Sequence, residues 1–471
     1  MKTIRFGAFV ALSVSLLIAT PQGFPQQSAD FTSRGPVRFT VAPNTSSHIA
    51  MKTLPKATCM VHATSDSDAE HEIKAFADDD GMIHFHVTPL AESEQVAHLS
   101  VDCTAAHQSV TFDLELRPNS VPTDDMPAPV AEMRAPQATD VIRPALAKAD
   151  AIGLTGDELL KRGYPVRPDS GQAPTAYATW LRAVTKPSRR VNPRQVQRPE
   201  VQAGPATLTG LVYGPVNQGG PGTGSISMLA KSPNWSGFVL ADPVVTYDLV
   251  AGRWYVPAVR PETNTHVYSN MWIGLDGWET FPGAYWDLWQ AGTDSDIQVI
   301  PGYRLTTYDA WTLFLQPGIG GVLSNFTVEP GDEIFSEVWV ADLESSPSLS
   351  GLYAIAYLED ITRNENTFVY QCRGLVRDGK CTNVDQTQIL GQSADWILER
   401  PKVNGKLPDL ADYQFAYMYD AEALQSDGSW VYYNGSGIVN NQVMMYNGGD
   451  FLSGAYGDSA TEIGFEWFNY H

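Results

Sequence analysis

Three stretches in the second half of the chain largely alternate between apolar residues and a second set of tryptophan, glycine, glutamine and acid. Residues two apart in a strand lie on the same face, so each stretch is predicted to be a strand with one buried and one polar face. The polar faces carry Trp272, Gly274 and Asp276, then Gln290, Gly292 and Asp294, and then Asp395, Ile397 and Glu399.

Each strand taken alone is compatible with a half-exposed strand whose polar face is solvated. Together, the three faces fit better as the floor of a cleft. Glycine between polar residues allows another backbone to approach closely, and a neighbouring tryptophan offers a flat surface to an extended polymer. The pattern therefore favours a polymer-binding β-sheet, with the solvated-face interpretation still open.

Five short motifs in a fixed order resemble those of the glutamic peptidases, also called eqolisins (peptidase family G1/A4). The likeness covers roughly residues 226 to 425. The motifs are Asn234-Trp235-Ser236-Gly237, Trp272-Ile273-Gly274-Leu275-Asp276-Gly277, Gln290-Ala291-Gly292-Thr293-Asp294, Tyr308-Asp309-Ala310-Trp311 and Ala394-Asp395-Trp396-Ile397-Leu398-Glu399.

The resemblance implies an all-β fold, an antiparallel β-sandwich of concanavalin or jelly-roll type. It also implies a catalytic dyad on the concave sheet, which by motif position falls on Gln290 and Glu399. The substrate-binding positions of the family fall on Trp235, Trp272, Asp276 and Asp294.

The chain departs from the family pattern after the Tyr-Asp-Ala-Trp motif. Leu313 and Leu315 replace a glutamate and a tyrosine that are usual there, and Asp395 stands where glutamate is usual. These changes affect the shape expected for the substrate pocket, but both dyad residues are present.

The dyad is chemically sufficient for amide hydrolysis without a metal or a nucleophilic side chain. Such hydrolysis needs a base to activate water, a donor for the developing oxyanion and an acid for the leaving amine. Glu399 can serve as base and then as acid, and the Gln290 amide can donate to the oxyanion. Because a carboxylate is ionised only above about pH 4, we expect activity in mildly acid solution, with no cofactor or metal.

A glycoside hydrolase and a non-catalytic carbohydrate-binding sandwich are the alternatives, since tryptophan-lined clefts with acids also suit sugars. Asp395 and Glu399 are not a glycosidase pair, because four residues along a strand separate them by about 13 Å. Retaining or inverting chemistry needs roughly 5 to 9.5 Å. Asp276 or Asp294 paired with Glu399 across strands leaves the glycosidase alternative open.

The N-terminus resembles a secretory signal, predicted over residues 1–23. Lys2 and Arg5 precede an apolar run that ends near Ala19, and this run is too short to span a membrane. The four cysteines form two local pairs, Cys59 with Cys103 and Cys372 with Cys381, and are predicted to be disulfides of an exported protein.

The length predicts two or three domains. Residues 34–117 alternate as short strands and are predicted to form a small immunoglobulin-like sandwich. Residues 118–225 are rich in proline and glycine, with helices expected near 156–162 and 174–184, and are interpreted as a basic linker and possible pro-segment that builds no core. Residues 226–471, with many aromatic strands, form the predicted catalytic β-sandwich.

Charge is distributed unevenly between these regions. The chain carries −22; residues 226–471 hold 31 acidic and 11 basic residues, a net charge of −20. The window 182–198 holds six basic residues and no acid. It is predicted to lie on the acidic domain and obstruct its cleft, with a solvated linker as the alternative. So acidic a protein excludes nucleic acid as a partner; polypeptide substrates, no membrane and a monomer are expected.

Overall fold

A computed structural model shows how the alternating sequence folds. It describes residues 16–17, 37–41, 46–63, 71–78, 81–90, 96–106, 108–118, 141–192, 194–198, 201–202, 210–216, 226–242, 244–260, 265–278, 287–300, 302–315, 319–343, 351–377, 380–385, 387, 389–435 and 438–471. The chain forms two units: one comprises residues 1–130 and 299–307, and the other residues 131–298 and 308–471.

The second unit contains most of the strands. They are Val141–Arg143, Ser188–Arg190, Gln195–Val196, Val201–Gln202, Gly210–Val216, Ile226–Ser232, Trp235–Leu240, Tyr247–Tyr255, Val267–Asp276, Leu288–Ile300, Tyr303–Phe314, Ile319–Thr327, Glu333–Asp342, Leu352–Asp360, Glu365–Cys372, Gly374–Arg377, Lys380–Asp385, Ala394–Glu399, Lys402–Val403, Asp409–Leu410, Phe415–Gln425, Trp430–Tyr432, Val439–Asn447, Asp450–Gly457 and Ile463–Trp467. The strands Leu288–Ile300 and Tyr303–Phe314 also contribute residues to the first unit.

Two antiparallel layers make up the sandwich of the second unit. One layer runs, neighbour by neighbour, through Val439–Asn447, Trp235–Leu240, Ala394–Glu399, Val267–Asp276 and Leu288–Ile300. The other runs through Glu365–Cys372, Leu352–Asp360, Glu333–Asp342, Tyr247–Tyr255 and Phe415–Gln425. This architecture confirms the predicted all-β, antiparallel sandwich.

The core between the layers is built from the apolar face of each strand. Ile273, Trp289 and Trp396 point into it from the first layer, and Trp254 and Val338 from the second. All five are fully buried. The polar positions that alternate with the first three therefore lie on the opposite side of that layer, which we call the site face.

Three helices, Lys148–Gly153, Gly156–Lys161 and Pro174–Val184, cover the outer side of the second layer. The second helix starts with a capping box in which Thr155 and Glu158 satisfy each other's backbone N–H groups. Pro174 occupies the first turn of the third helix, whose Trp180 is completely buried with Phe335 and other aromatic residues of the layer.

The second and third helices lie where the sequence predicts them, whereas no helix is predicted at Lys148–Gly153. The linker interpretation is wrong in one respect. Residues 141–192 build a core with the sheet instead of connecting two domains. Arg143 at their start forms a buried ion pair with Glu359, at 2.9 Å. Below, this part of the chain is called the helical layer.

The first unit is also a β-structure. Its strands are Leu16–Leu17, Val37–Val41, Ser47–Lys52, Thr58–Ala63, His71–Phe76, Met82–Pro89, Ala97–Ala105 and Gln108–Pro118. Residues 303–306 pair with Met82–Pro89, and Ile300, Tyr303 and Leu305 join its core. The first domain predicted from the sequence, residues 34–117, thus leaves out a short hairpin at residues 299–307, which the sequence predicts as part of the catalytic domain. An immunoglobulin-like topology stays a prediction.

Both predicted disulfides, Cys59–Cys103 and Cys372–Cys381, are present. The second one lies at the hairpin formed by Gly374–Arg377 and Lys380–Asp385, as its spacing predicts. Apart from Leu16 and Leu17, the predicted signal peptide lies outside the described residues. Among the helices that the structure describes, none has the length and apolar character to span a membrane.

Candidate active site

The strand Val267–Asp276 lies between the strands that carry the two predicted catalytic residues. Gly274 is opposite Gln290 on one side, and Asn270 is opposite Glu399 on the other. Trp272 lies between these two positions on the same face. The structure therefore places Gln290 and Glu399 diagonally across one strand, both on the site face.

Two glycines make room for Trp272. A Cβ atom at Gly292 would lie 2.5 Å from the Trp272 Cβ, and one at Gly274 would lie 2.9 Å from its ring. Side chains at these positions would displace the indole, so glycine is required for packing within the site and not only for approach of a second backbone. This explains the tryptophan-glycine-glutamine pattern of the sequence.

Trp272 connects the aromatic floor to the predicted catalytic carboxylate. Its indole Nε1–H donates to Glu399 Oε2 at 2.9 Å. Its ring packs edge-on against Trp235, with centroids 4.9 Å apart. Because all three side chains are buried, the hydrogen bond holds the carboxylate in one orientation.

Several residues of the site face carry a buried polar atom that makes no hydrogen bond with any part of the chain that the structure describes. Among them are Asn270, Gln290, Trp311 and Asp395. For Gln290 both amide atoms are unpartnered, and the residue is 0% exposed. Such a group costs free energy in a folded protein, and a cluster of them is typical of a surface built to bind a polar ligand.

Asp395 lies in the same row as Gln290, since both are opposite Gly274. Burial and the nearby charge of Asp276 raise the pKa of Asp395 well above its ordinary value. The structure therefore favours a protonated Asp395 that can donate a hydrogen bond, at a position where the family usually has glutamate.

Asp276 has contacts of a different kind. Its carboxylate accepts hydrogen bonds from the backbone N–H groups of Leu390, Gly391 and Gln392, at 2.7, 3.0 and 2.5 Å. Burial raises its pKa to about 6, although these backbone donors act in the opposite direction. Asp276 thus fixes the loop that leads into the Glu399 strand, and its predicted contact with substrate stays a prediction.

Asp294 is paired with an arginine from the basic window. Arg198 contacts Asp294 at 3.0 Å and Asp296 at 2.7 Å, and its guanidinium lies 3.8 Å from Asp309. The backbone N–H of Asp309 also donates to Asp294, at 2.9 Å. We call Asp294, Asp296 and Asp309 the acid cluster.

An arginine partner ordinarily lowers the pKa of a carboxylate, but the pKa values of Asp294 and Asp309 in the acid cluster are raised. Burial and the charge of Asp296 raise the pKa of Asp294 well above its ordinary value, against the effect of Arg198. Burial likewise raises the pKa of Asp309 to about 6. Burial lowers the pKa of Arg198, but the three carboxylates outweigh it and raise the pKa above its ordinary value. One arginine therefore does not compensate three acids, of which Asp294 and Asp296 are buried and Asp309 is partly exposed.

The leucines that replace the usual family residues make part of the site face apolar. Leu313 and Leu315 pack against a cluster that contains Trp235, Trp272 and Trp311. A polar substrate group that would contact glutamate or tyrosine at these positions meets a hydrocarbon surface here. We therefore expect this subsite to prefer apolar side chains.

The site face is closed in this structure. Gln290 is 0% and Glu399 1% exposed. Residues Gln195–Val196 pair with strand Ile319–Thr327, and Val201–Gln202 pair with Lys402–Val403, just after Glu399. Residues 194–202 are called the strand segment below. Its two described strands, Gln195–Val196 and Val201–Gln202, therefore lie on either side of the strands that carry the dyad.

Some residues of the site are not identified by sequence reasoning. Asn270 and Asp296 continue the site-face alternation of Trp272 and Asp294 by two residues each, so alternation alone could have identified them. Asp309 and Trp311 lie within the fourth motif. Arg198 belongs to the basic window that the sequence predicts to lie on the acidic domain. The sequence does not identify its partners Asp294 and Asp296, which lie 96 and 98 residues away in the chain.

Residues 233–455 match the model of the Peptidase A4 family, a range that contains all five motifs. No curated protein matches the chain. One similar solved structure is the crystal structure of scytalido-glutamic peptidase with a transition state analog inhibitor. Its TM-score is 0.36 at 19% identity, and the likeness covers 50% of this chain and 98% of that chain.

The family match removes the carbohydrate alternatives that composition alone leaves open. A peptidase acts on polypeptides, so polypeptide substrates follow from the family. The domain at residues 233–455 belongs to the Peptidase A4 family, and the protein is a glutamic endopeptidase.

Proposed function

We propose that the protein is a secreted endopeptidase that acts in acid solution, with Gln290 and Glu399 as its catalytic dyad and an activated water as nucleophile. The observation that carries this proposal is the buried Gln290 amide. Neither of its polar atoms has a partner among the described residues, and it lies on the same face as a carboxylate held by Trp272.

The dyad supplies each function that hydrolysis needs. Glu399 takes a proton from water as the water attacks the peptide carbonyl, and then gives the proton to the leaving amine. The Gln290 N–H donates to the oxyanion that develops on the carbonyl oxygen. Trp272 positions the carboxylate through its indole N–H. The unpartnered atoms of Asn270 and Trp311 are available to the substrate backbone.

Burial of both dyad residues supports a precursor in which the strand segment covers the site. The sequence predicts that the whole window 182–198 obstructs the cleft, whereas we propose that its C-terminal end does so. Arg182 pairs with Glu333 and Arg189 with Glu365, both in the other layer of the sandwich. At the end of the window, Arg198 contacts acids of the site face.

Secretion is proposed from the N-terminal sequence and the two disulfides. Disulfides persist in oxidising compartments, and both bridges are present. The expected monomeric state stays a prediction.

The decisive test is cleavage of a denatured protein by the acid-incubated full-length chain between pH 2 and 7, with pepstatin present. We expect pepstatin-insensitive cleavage with its maximum in acid solution. Glu399→Gln and Gln290→Ala should each lower kcat at least about a hundredfold, while circular dichroism is unchanged. Glu466→Gln, on a partly exposed strand residue, is the matched control. A dyad variant that keeps a tenth of the activity with an intact fold would disprove the assignment.

A further inference from the structure

Three histidines of the first unit lie side by side on one sheet. His48 belongs to the strand Ser47–Lys52, and His84 and His86 belong to the neighbouring strand Met82–Pro89. The two strands pair antiparallel, with His48 opposite His86. Directly opposite residues share a face of a sheet, as do residues two apart in a strand. All three imidazoles therefore lie on the same face.

The other face of these two strands is apolar. Five residues that alternate with the histidines are buried in the core of the first unit: Ile49, Met51, Ile83, Phe85 and Val87. This packing fixes the register of the two strands, and with it the positions of the imidazoles. His48 and His84 are partly exposed, whereas His86 is buried. Solvent therefore reaches two of the three rings.

The ring nitrogens are close enough for one ion to bind them together. His48 Nε2 lies 3.1 Å from His84 Nδ1, and a ring nitrogen of His48 lies within 4.8 Å of one of His86. Because Zn²⁺ binds imidazole nitrogen at about 2.0–2.1 Å, two nitrogens of a tetrahedral site are roughly 3.3 Å apart. The first distance is close to this value, and rotation of the His86 ring would shorten the second.

The three rings are also oriented alike. The His48 ring centroid is 5.3 Å from that of His84 and 4.9 Å from that of His86, with ring planes at 14° and 22°. A hydrogen bond between His48 and His84 is the alternative explanation of the 3.1 Å contact. That hydrogen bond joins only two of the rings, whereas one ion can join all three.

The ligand type decides which ion suits the cluster. Imidazole nitrogen suits Zn²⁺, Cu²⁺ and Ni²⁺, whereas Mg²⁺ and Ca²⁺ prefer oxygen ligands. Three histidines around one Zn²⁺ are a ligand set that proteins use. The cluster therefore favours a transition-metal cation over the divalent cations that carboxylates bind.

We propose that His48, His84 and His86 form a binding site for one divalent transition-metal cation of the Zn²⁺ type. The ion joins two strands whose histidines His48 and His84 are 36 residues apart in the chain, and so stabilises the first unit. The proposed peptide hydrolysis does not use this ion, and the site can therefore be tested without measuring cleavage.

The test is equilibrium dialysis of metal-stripped full-length protein against ZnCl₂ at pH 7.5, because a metal-binding imidazole must be neutral. Excess MgCl₂ occupies carboxylate sites. We expect one Zn²⁺ per chain with a dissociation constant of about 1 μM or below. His48→Gln and His84→Gln should each weaken binding at least about a hundredfold, since even an outer partner of a metal ligand contributes about 10- to 100-fold. His98→Gln, on an exposed histidine of the same unit, should leave it unchanged.

Circular dichroism checks that each variant is folded. Electron paramagnetic resonance of the wild type with one equivalent of Cu²⁺ needs no variant, and we expect coupling to three imidazole nitrogens. Three results would overturn the proposal: no Zn²⁺ bound in excess magnesium, an affinity that neither His48→Gln nor His84→Gln lowers, or a Cu²⁺ spectrum without nitrogen coupling. The peptidase function is decided separately, by the cleavage test.

Discussion

The helical layer and the strand segment are adjacent in the chain, yet they are held to the peptidase domain differently. The helical layer adds an apolar core to its ion pairs, whereas the strand segment is held by strand pairing and by Arg198. The helical layer buries Leu159, Tyr164 and Trp180 in a cluster with aromatic residues of the sheet. In the strand segment Gln195 and Val196 remain partly exposed, and Arg198 is held by buried carboxylates.

This difference indicates which part can leave. Removal of the helical layer would expose Phe335, Trp339 and Tyr357 to water, and apolar burial of this kind does not depend on pH. Contacts of Arg198 depend on the charges of three acids and can be weakened by titration. We therefore expect activation to release the strand segment by a cut between residues 198 and 226, while the helical layer stays bound as a third layer of the enzyme.

The largest expected effect is on the helical layer. Trp180→Ala should lower the free energy of unfolding by about 3–5 kcal/mol, because it leaves a cavity in a completely buried cluster. Denaturant unfolding of the full-length protein measures it. Ile152→Ala, on a residue that is 54% exposed, should change stability by less than about 0.5 kcal/mol. A loss below 1 kcal/mol for Trp180→Ala would show that the layer is not part of the core.

A smaller and more local effect is expected at the strand segment. Arg198→Gln removes a cation that contacts all three acids of the cluster, so hydrogen exchange in residues 194–202 should become about ten to a hundred times faster at neutral pH. Exchange in the helical layer should not change. Lys186→Gln, which removes an exposed charge, is the control. Unchanged protection of the segment in Arg198→Gln would mean that its strand pairing alone holds it.

The smallest expected effect is the pH dependence of segment protection. Burial raises the pKa values of Asp294 and Asp309, and Arg198 lowers them. Undocking of Arg198 removes the lowering effect, so docking is favoured above the docked pKa, about 6 for Asp309, and is weakened as pH falls through it. Protection, corrected for chemical exchange, should therefore be a few times greater at pH 7 than at pH 5, and Asp309→Asn should reduce the difference. Equal protection at the two pH values, or greater protection at pH 5, would contradict this pH dependence.

The sequence predicts the strands and the dyad because their signal is local. Alternation identifies the faces of Trp272, Gln290 and Glu399, and the family motifs supply the roles. The helix starting at Pro174 and the bridge between Cys372 and Cys381 are predicted for the same reason. In each case residues close in the chain determine the structure.

What the sequence does not show depends on contacts between distant residues. The helical layer is rich in proline and glycine and offers few apolar residues per helix, so its packing against the sheet is not evident. The pKa of Asp294 is raised rather than lowered because burial outweighs Arg198, and burial cannot be inferred from charge counting. The hairpin around Tyr303 joins the first unit although its alternation resembles that of other strands.

The most direct test of the account follows the fate of the two regions during activation. Full-length protein is incubated in acid until peptidase activity appears, and the products are separated by gel filtration under native conditions and identified by mass spectrometry. We predict a cut between residues 198 and 226, with the helical layer eluting together with the active peptidase domain. Active domain that elutes free of residues 141–192, or full activity in a chain that is not cut between residues 198 and 226, would contradict the account.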